Sequence, residues 1–202
     1  IYVAIADVDS RGENESRIDK HARHNTTSIY TAAKMYPMLP EELSTDLTSL
    51  NQGEDRLAVV VEMVVNKDGI VSDPEIYRAL VRNTAKLAYN GVAAWLNGSS
   101  EPPSALKNVR GLEDNLRLQN DAAQRLRKLR YANGALDLET IEARAIFDGD
   151  RLAGLEMERT NCATQIIEDF MIAANGVTAP DGRGRLRVRA TRASRLRSTR
   201  SL

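Results

Sequence analysis

Apolar and polar positions change their period several times along the chain, and each change marks an element. Tyr2 to Ala6 is an apolar run without polar alternation, the pattern of a strand covered on both faces, and it ends at Asp7 and Asp9. Residues 10–16 (SRGENES) are polar and turn-like, and Arg17 to Asn25 (RIDKHARHN) predicts a short helix. Pro37 and Pro40 bracket a segment that cannot be regular helix, whereas Ser44, Leu47 and Leu50 predict a helical turn or two. Leu57 to Val65 is Val-rich and predicts a buried strand, closed by the turn Asn66-Lys67-Asp68-Gly69. Ile70 onward supplies a returning strand and Ile76 to Leu87 a third, so this region predicts a β-meander.

Helical periods dominate the second half. Tyr89 to Leu96 predicts a helix stopped by Asn97-Gly98, followed by a loop at 99–104 (SSEPPS). Leu112, Leu116, Ala123, Leu126 and Leu129 mark the longest helix, Leu112 to Tyr131, with Gly134 as its stop. Ala143 to Phe147 and Leu152 to Met157 flank Asp148-Gly149-Asp150, a hairpin signal, and Ala163 to Asn175 predicts a final helix. No segment repeats, which excludes a solenoid. Meander, hairpin and separate helices together predict an α+β fold.

The final helix carries the strongest chemical signal. Ala163, Ile166, Ile167, Phe170, Met171 and Ala174 form one broad apolar face, and Ile172 and Ala173 widen it, so the helix is expected to be largely buried. Thr164, Glu168 and Asn175 nonetheless share a narrow polar stripe. A carboxylate hemmed in by Met171 and Ile172 is costly unless it is paired or faces a wet cleft. The residues alone leave both readings of Glu168 open: a structural acid, or one lining a cleft.

Composition adds limits. With 202 residues, 42% hydrophobic and 28% charged, the chain is an ordinary globular one of one domain or two small ones. The zero net charge averages two unlike parts: residues 1–180 hold 20 of 28 basic and 27 of 28 acidic residues, a net −7, and residues 181–202 a net +7. So sharp a split marks a boundary. The longest apolar run, Leu57 to Val65, is broken by Glu62 and is far too short to span a membrane. A single cysteine, Cys162, permits no intrachain disulfide and points to a reducing compartment, the cytoplasm; it has no partners of a catalytic thiol and reads as a small buried residue. His21 and His24, three apart, could share a helical face, but without a nearby Cys a metal site is a weaker reading than a polar surface or an RNA backbone contact. Asp7 and Asp9 stand where metal carboxylates often stand, and equally where a loop start needs a cap.

Four segments, in order, carry a resemblance: Tyr30 to Asn51 (YTAAKMYPMLPEELSTDLTSLN), residues 54–69 (EDRLAVVVEMVVNKDG), residues 134–144 (GALDLETIEAR) and residues 163–175 (ATQIIEDFMIAAN). At these spacings residues 1–179 resemble the catalytic (RNB) domain of the ribonuclease II / ribonuclease R exoribonucleases. The resemblance implies a partial domain, truncated at both ends, since the chain starts with Ile1 inside a strand. It also implies hydrolysis of single-stranded RNA from the 3′ end to nucleoside 5′-monophosphates, or else a non-catalytic RNA-binding remnant of the same fold. A scaffold unrelated to RNA is disfavoured by Tyr30, Tyr89 and Glu168 occurring together. Residues 180–202, Arg-rich without Lys, read either as a disordered phosphate-binding arm or, more simply, as out-of-frame GC-rich coding sequence.

By resemblance, Glu168 is the active-site acid beside the ribose of the terminal nucleotide, where a carboxylate can accept a hydrogen bond from a 2′-OH. Tyr30 would stack on the 3′ base, a contact that tolerates every base because each has a π-face. Tyr89 would lie near the same ribose. Leu138 stands where the best-known members have a phenylalanine completing the stacking clamp, so this clamp would be weaker. The family's Mg²⁺ is held by aspartates that would precede residue 1, and its phosphate-clamping arginine would follow residue 179. No metal ligand is therefore expected within the chain, and Asp7 and Asp9 are not the family's principal ligands. With parts of the core's walls absent, Ile5, Val60, Phe170 and Met171 are expected to be partly exposed, favouring association. The 202-residue polypeptide is expected to release no nucleoside monophosphates from labelled single-stranded RNA with Mg²⁺ or Mn²⁺. Metal-dependent release by clean protein would overturn that expectation.

Overall fold

The computed structural model describes residues 1–10, 14–31, 34–136, 142–149, 151–158 and 160–179. They fall into two compact units, one formed by Ile1–Asp7, Leu50–Leu136 and the chain from Asn161, the other by Val8–Ser49 and Asp137–Thr160. Both mix helix and sheet, as the α+β expectation requires.

The first unit is built on a three-stranded antiparallel sheet in the order β1 (Tyr2–Ala6), β4 (Asp55–Val65), β5 (Val71–Arg82). Its centre, β4, is covered on both faces. Val61 and Met63 pack with Ala174 of helix α5 (Cys162–Thr178), while Ala58 and Val60 pack with Ala79 and, around them, Leu50, Tyr77 and Val81. Glu62 interrupts the apolar run but accepts a hydrogen bond from the Tyr77 hydroxyl at 2.9 Å. Burial, and then that bond to Glu62, hold the Tyr77 phenol well above its usual range.

Two expectations fail in this sheet. β1 is not covered on both faces: it lies at the sheet edge, and Tyr2 and Ile5 are exposed. The meander's expected break before Ile76 is absent, and one strand runs from Val71 to Arg82. Ser72-Asp73-Pro74-Glu75 is absorbed as an irregularity opposite Glu62 and Val64, with Asp73 at φ 49°.

Among its described residues the unit also holds four helices: α2 (Tyr89–Leu96), α3 (Ser104–Lys107), α4 (Leu112–Ala132) and α5. Val92, Ala93 and Trp95 of α2, Leu106 of α3, Leu116 of α4 and Ala163 of α5 form one cluster. Further along, Ala123 of α4 packs with Ile166 and Phe170 of α5. Val60 and Phe170, expected to be partly exposed, are thus buried, Met171 is half-buried, and Ile5 is exposed as expected. Nor is α5 buried nearly all round: Ile167 and Ile172 are exposed, because the sheet and α4 cover only one side of it.

In the second unit, α1 (Arg17–Asn25) starts at Ser16, whose hydroxyl accepts from the Asp19 amide at 3.2 Å. The short strands β2 (Ile29–Tyr30) and β3 (Met35–Tyr36) pair antiparallel. One wide helical turn, Glu42–Asp46, falls where Ser44 to Leu50 predicted helical turns. β6 (Glu142–Asp148) and β7 (Arg151–Glu158) form the expected hairpin. Leu138 and the Arg-rich tail at 180–202 lie outside the described residues.

The β4–β5 turn is pinned to α4 through Gly69. Its φ is +81°, and an added Cβ would lie 2.4 Å from the Arg125 carbonyl oxygen. Gly69→Ala combines a left-handed conformation with a backbone clash, so a loss of about 2–4 kcal/mol is expected. Thermal or urea denaturation measures it, and Gly98→Ala, with open space around its Cβ position, should cost distinctly less.

Candidate functional site

Helix α5 begins at a capping box. The Asn161 side chain accepts from the Ala163 and Thr164 amides at 3.0 and 3.1 Å, and the Thr164 hydroxyl oxygen accepts from the Asn161 amide at 2.9 Å. The other end of the Asn161 amide group donates to Asn90 Oδ1 at 3.1 Å, tying the start of α5 to the first turn of α2. Tyr89 opens that turn and is 49% exposed, so it is not the core residue its apolar surroundings alone would suggest. Cys162, beside the cap, is half-buried, with its thiol 3.8 Å from the Ala93 carbonyl oxygen.

Two turns into α5, the sequence-based reading of the acids needs correction. Glu168 is not the acid hemmed in by apolar neighbours: its side chain is 53% exposed. The buried acid is Asp169, only 2% exposed and on the same face as Ile166 and Phe170. Helix α4 makes this possible. Arg127 donates to Asp169 Oδ2 from Nε at 3.0 Å and from Nη2 at 2.6 Å, and Arg130 Nη2 lies 3.1 Å from Asp169 Oδ1. Arg130 Nη2 also lies 3.7 Å from Glu168 Oε1, so one guanidinium stands between both carboxylates.

These arginines were missed because nothing in the α4 pattern distinguishes Arg127 and Arg130 from its other basic residues. Their separation of three residues, which sets both on one helical face, was the signal that could have found them.

The remaining candidates are distributed as follows. Tyr30 belongs to the second unit, on β2 opposite Met35, and is 76% exposed. The Pro-bounded segment after it is held within that unit: the Met38 amide donates to the Ser28 hydroxyl at 2.9 Å, and Asn25 Nδ2 to the Met38 carbonyl at 3.4 Å. His21 and His24 are both exposed on α1, where the His21 ring is 3.0 Å from Asn25 Nδ2. Asp7 is buried, with Oδ2 2.9 Å from Arg78 Nε, so its carboxylate joins β1 to β5. Among the described residues no group of three or more His, Cys, Asp or Glu is placed to hold a metal ion. Among them, too, no helix is long and apolar enough to cross a membrane.

The described residues form a mixed α+β domain with an exposed tyrosine and an exposed carboxylate on two packed helices, and comparison assigns the family. The RNB domain matches residues 1–183, and the chain belongs to that family. Its relatives include ribonuclease R of Vibrio parahaemolyticus, 36% identical over 180 residues, which cover 89% of this chain and 21% of the relative. Ribonuclease R of Escherichia coli is 34% identical over 176 residues, 87% of this chain and 21% of the relative. Among solved structures, Mycoplasma genitalium RNase R in complex with ribose-methylated single-stranded RNA superposes with a TM-score of 0.80 at 30% identity, over 88% of this chain and 27% of that one. The same enzyme with double-stranded RNA gives 0.81. The chain spans about a fifth to a quarter of the length of the curated relatives it matches.

Removing the buried charge tests the α4–α5 clamp. Asp169→Ala leaves Arg127 without its counter-charge and Arg130 with only the exposed Glu168, and is expected to cost about 3–5 kcal/mol. Glu168→Ala, at the exposed position beside it, is expected to cost under about 1 kcal/mol. Chemical denaturation of the two variants checks the order, and equal losses would contradict it.

Proposed function

We propose that the chain forms the RNA-binding part of a catalytic domain which, in the complete enzyme, degrades single-stranded RNA from its 3′ end. The reaction is hydrolytic and yields nucleoside 5′-monophosphates, with Mg²⁺ as cofactor and the cytoplasm as its setting. Membership of the RNB family supports the class of reaction, and the RNA complexes of the Mycoplasma genitalium relative support the class of partner. Bound magnesium would activate water and stabilise the departing oxygen. The described residues offer no set that fits the ion, and their roles are to bind and orient RNA.

The observation that carries the reading is the exposed carboxylate of Glu168 on a helix packed against the one that presents Tyr89. An ionised carboxylate is an acceptor only, so it pairs with a sugar bearing a 2′-OH and gains nothing from deoxyribose. Tyr89 supplies an aromatic edge and a hydroxyl beside that sugar. Tyr30, with most of its ring open to solvent, offers a stacking surface worth about 1–3 kcal/mol per base, whatever the base.

Glu168→Ala is expected to lower the preference for RNA over DNA of the same sequence by roughly tenfold to a hundredfold, the worth of one hydrogen bond to a charged group. Tyr30→Ala should weaken RNA and DNA alike. Equilibrium binding of matched oligonucleotides to the chain measures both effects. An unchanged RNA-to-DNA ratio for Glu168→Ala would return that residue to a structural role.

A further inference from the structure

Arg130 is placed to do more than neutralise a buried acid. Asp169 carries one negative charge, and Arg127 already meets it with two hydrogen bonds to Oδ2. Arg130, one turn further along α4, approaches the other oxygen at 3.1 Å and extends the same nitrogen to within 3.7 Å of Glu168 Oε1. Since Asp169 is buried and fixed by Arg127, it anchors the Arg130 guanidinium, and the guanidinium in turn offers Glu168 a fixed cation on one side. A free glutamate on an exposed helix face samples several rotamers. A cation held at one place favours the rotamers that bring the carboxylate toward it, and leaves the second carboxylate oxygen for another donor.

We infer that Arg130 is a positioning residue for Glu168, setting the carboxylate that reads the ribose and thereby the preference for RNA over DNA. This rests on the ribose-reading role proposed above for Glu168. Tyr89 lies on α2 and belongs to a different contact. Arg127 serves Asp169 alone, so the two arginines of α4 have separable functions: one closes the helix interface, the other passes that rigidity to the site.

The test is a double-mutant cycle on the 202-residue chain, reading the ratio of affinities for RNA and DNA oligonucleotides of one sequence by fluorescence anisotropy. Arg130→Gln should lower the ratio by roughly threefold to fivefold, the scale of a partly exposed ion pair. Glu168→Ala should lower it further, and Arg130→Gln added to Glu168→Ala should change the ratio no more. A purely structural arginine would instead weaken both strands equally and leave the ratio alone. If Glu168→Ala lowers the ratio but Arg130→Gln does not, or if the two losses simply multiply, the positioning role is wrong while the reading of Glu168 survives. If Glu168→Ala leaves the ratio unchanged, or the chain binds neither strand, the reading itself fails and the inference with it. Should Arg130→Gln fail to fold by circular dichroism, Arg130→Lys carries the test under the same criteria, because it keeps a charge facing Asp169 while its shorter, differently shaped head group no longer holds the Nη2 position beside both carboxylates.

Discussion

A carboxylate buried inside an apolar helix interface constrains everything around it. Taking Asp169 out of water costs several kcal/mol unless charge and hydrogen bonds replace the solvent. Arg127 provides both and Arg130 adds a second positive charge, and they can do so only if α4 and α5 lie in one register. Sliding either helix by a turn would strand the acid. Apolar contacts between Ala123, Ile166 and Phe170 tolerate small shifts far better than this pair does. Burial of apolar surface draws the two helices together, and the ionic contact selects one arrangement among those that burial permits.

That arrangement carries through to the surface. Glu168 immediately precedes Asp169 in the chain, so the residue that must be buried fixes the direction in which its neighbour points, about 100° around the helix and toward solvent. At the other end of α5, the Asn161 cap ties the helix to α2, where Tyr89 stands. α5 is therefore held at its start by a capping box and a side-chain amide pair, and in its middle by two arginines. Its C-terminal half rests on Val61 and Met63 of the central strand. A binding site built on elements held at several points can keep a side chain within the narrow tolerance that recognition needs. Tyr30 comes from a different compact unit and is held by its own local contacts around the Pro-bounded segment.

Much of this was legible in the chain of residues. The helices at 17–25, 89–96, 112–132 and 162–178 and the hairpin around Gly149 follow from local period, caps and turn residues, all of which act over a few positions. The RNB family was legible too, because motifs of ten or more residues at fixed spacings are specific. What local pattern could not decide was which face of each element meets a partner. β1 looked like a doubly covered strand and is an edge. A third strand was expected from Ile76, yet one long strand with an irregularity near Asp73 formed instead, since pairing with β4 outweighed the preference of Asp73 and Pro74. Most tellingly, Glu168 and Asp169 are adjacent acids, and the residues alone left Glu168 open between a structural acid and one lining a cleft. Their fates are set by Arg127 and Arg130, some forty residues away, because the free energy of a buried charge depends on what lies within a few ångströms in space, and only tertiary structure brings those cations there.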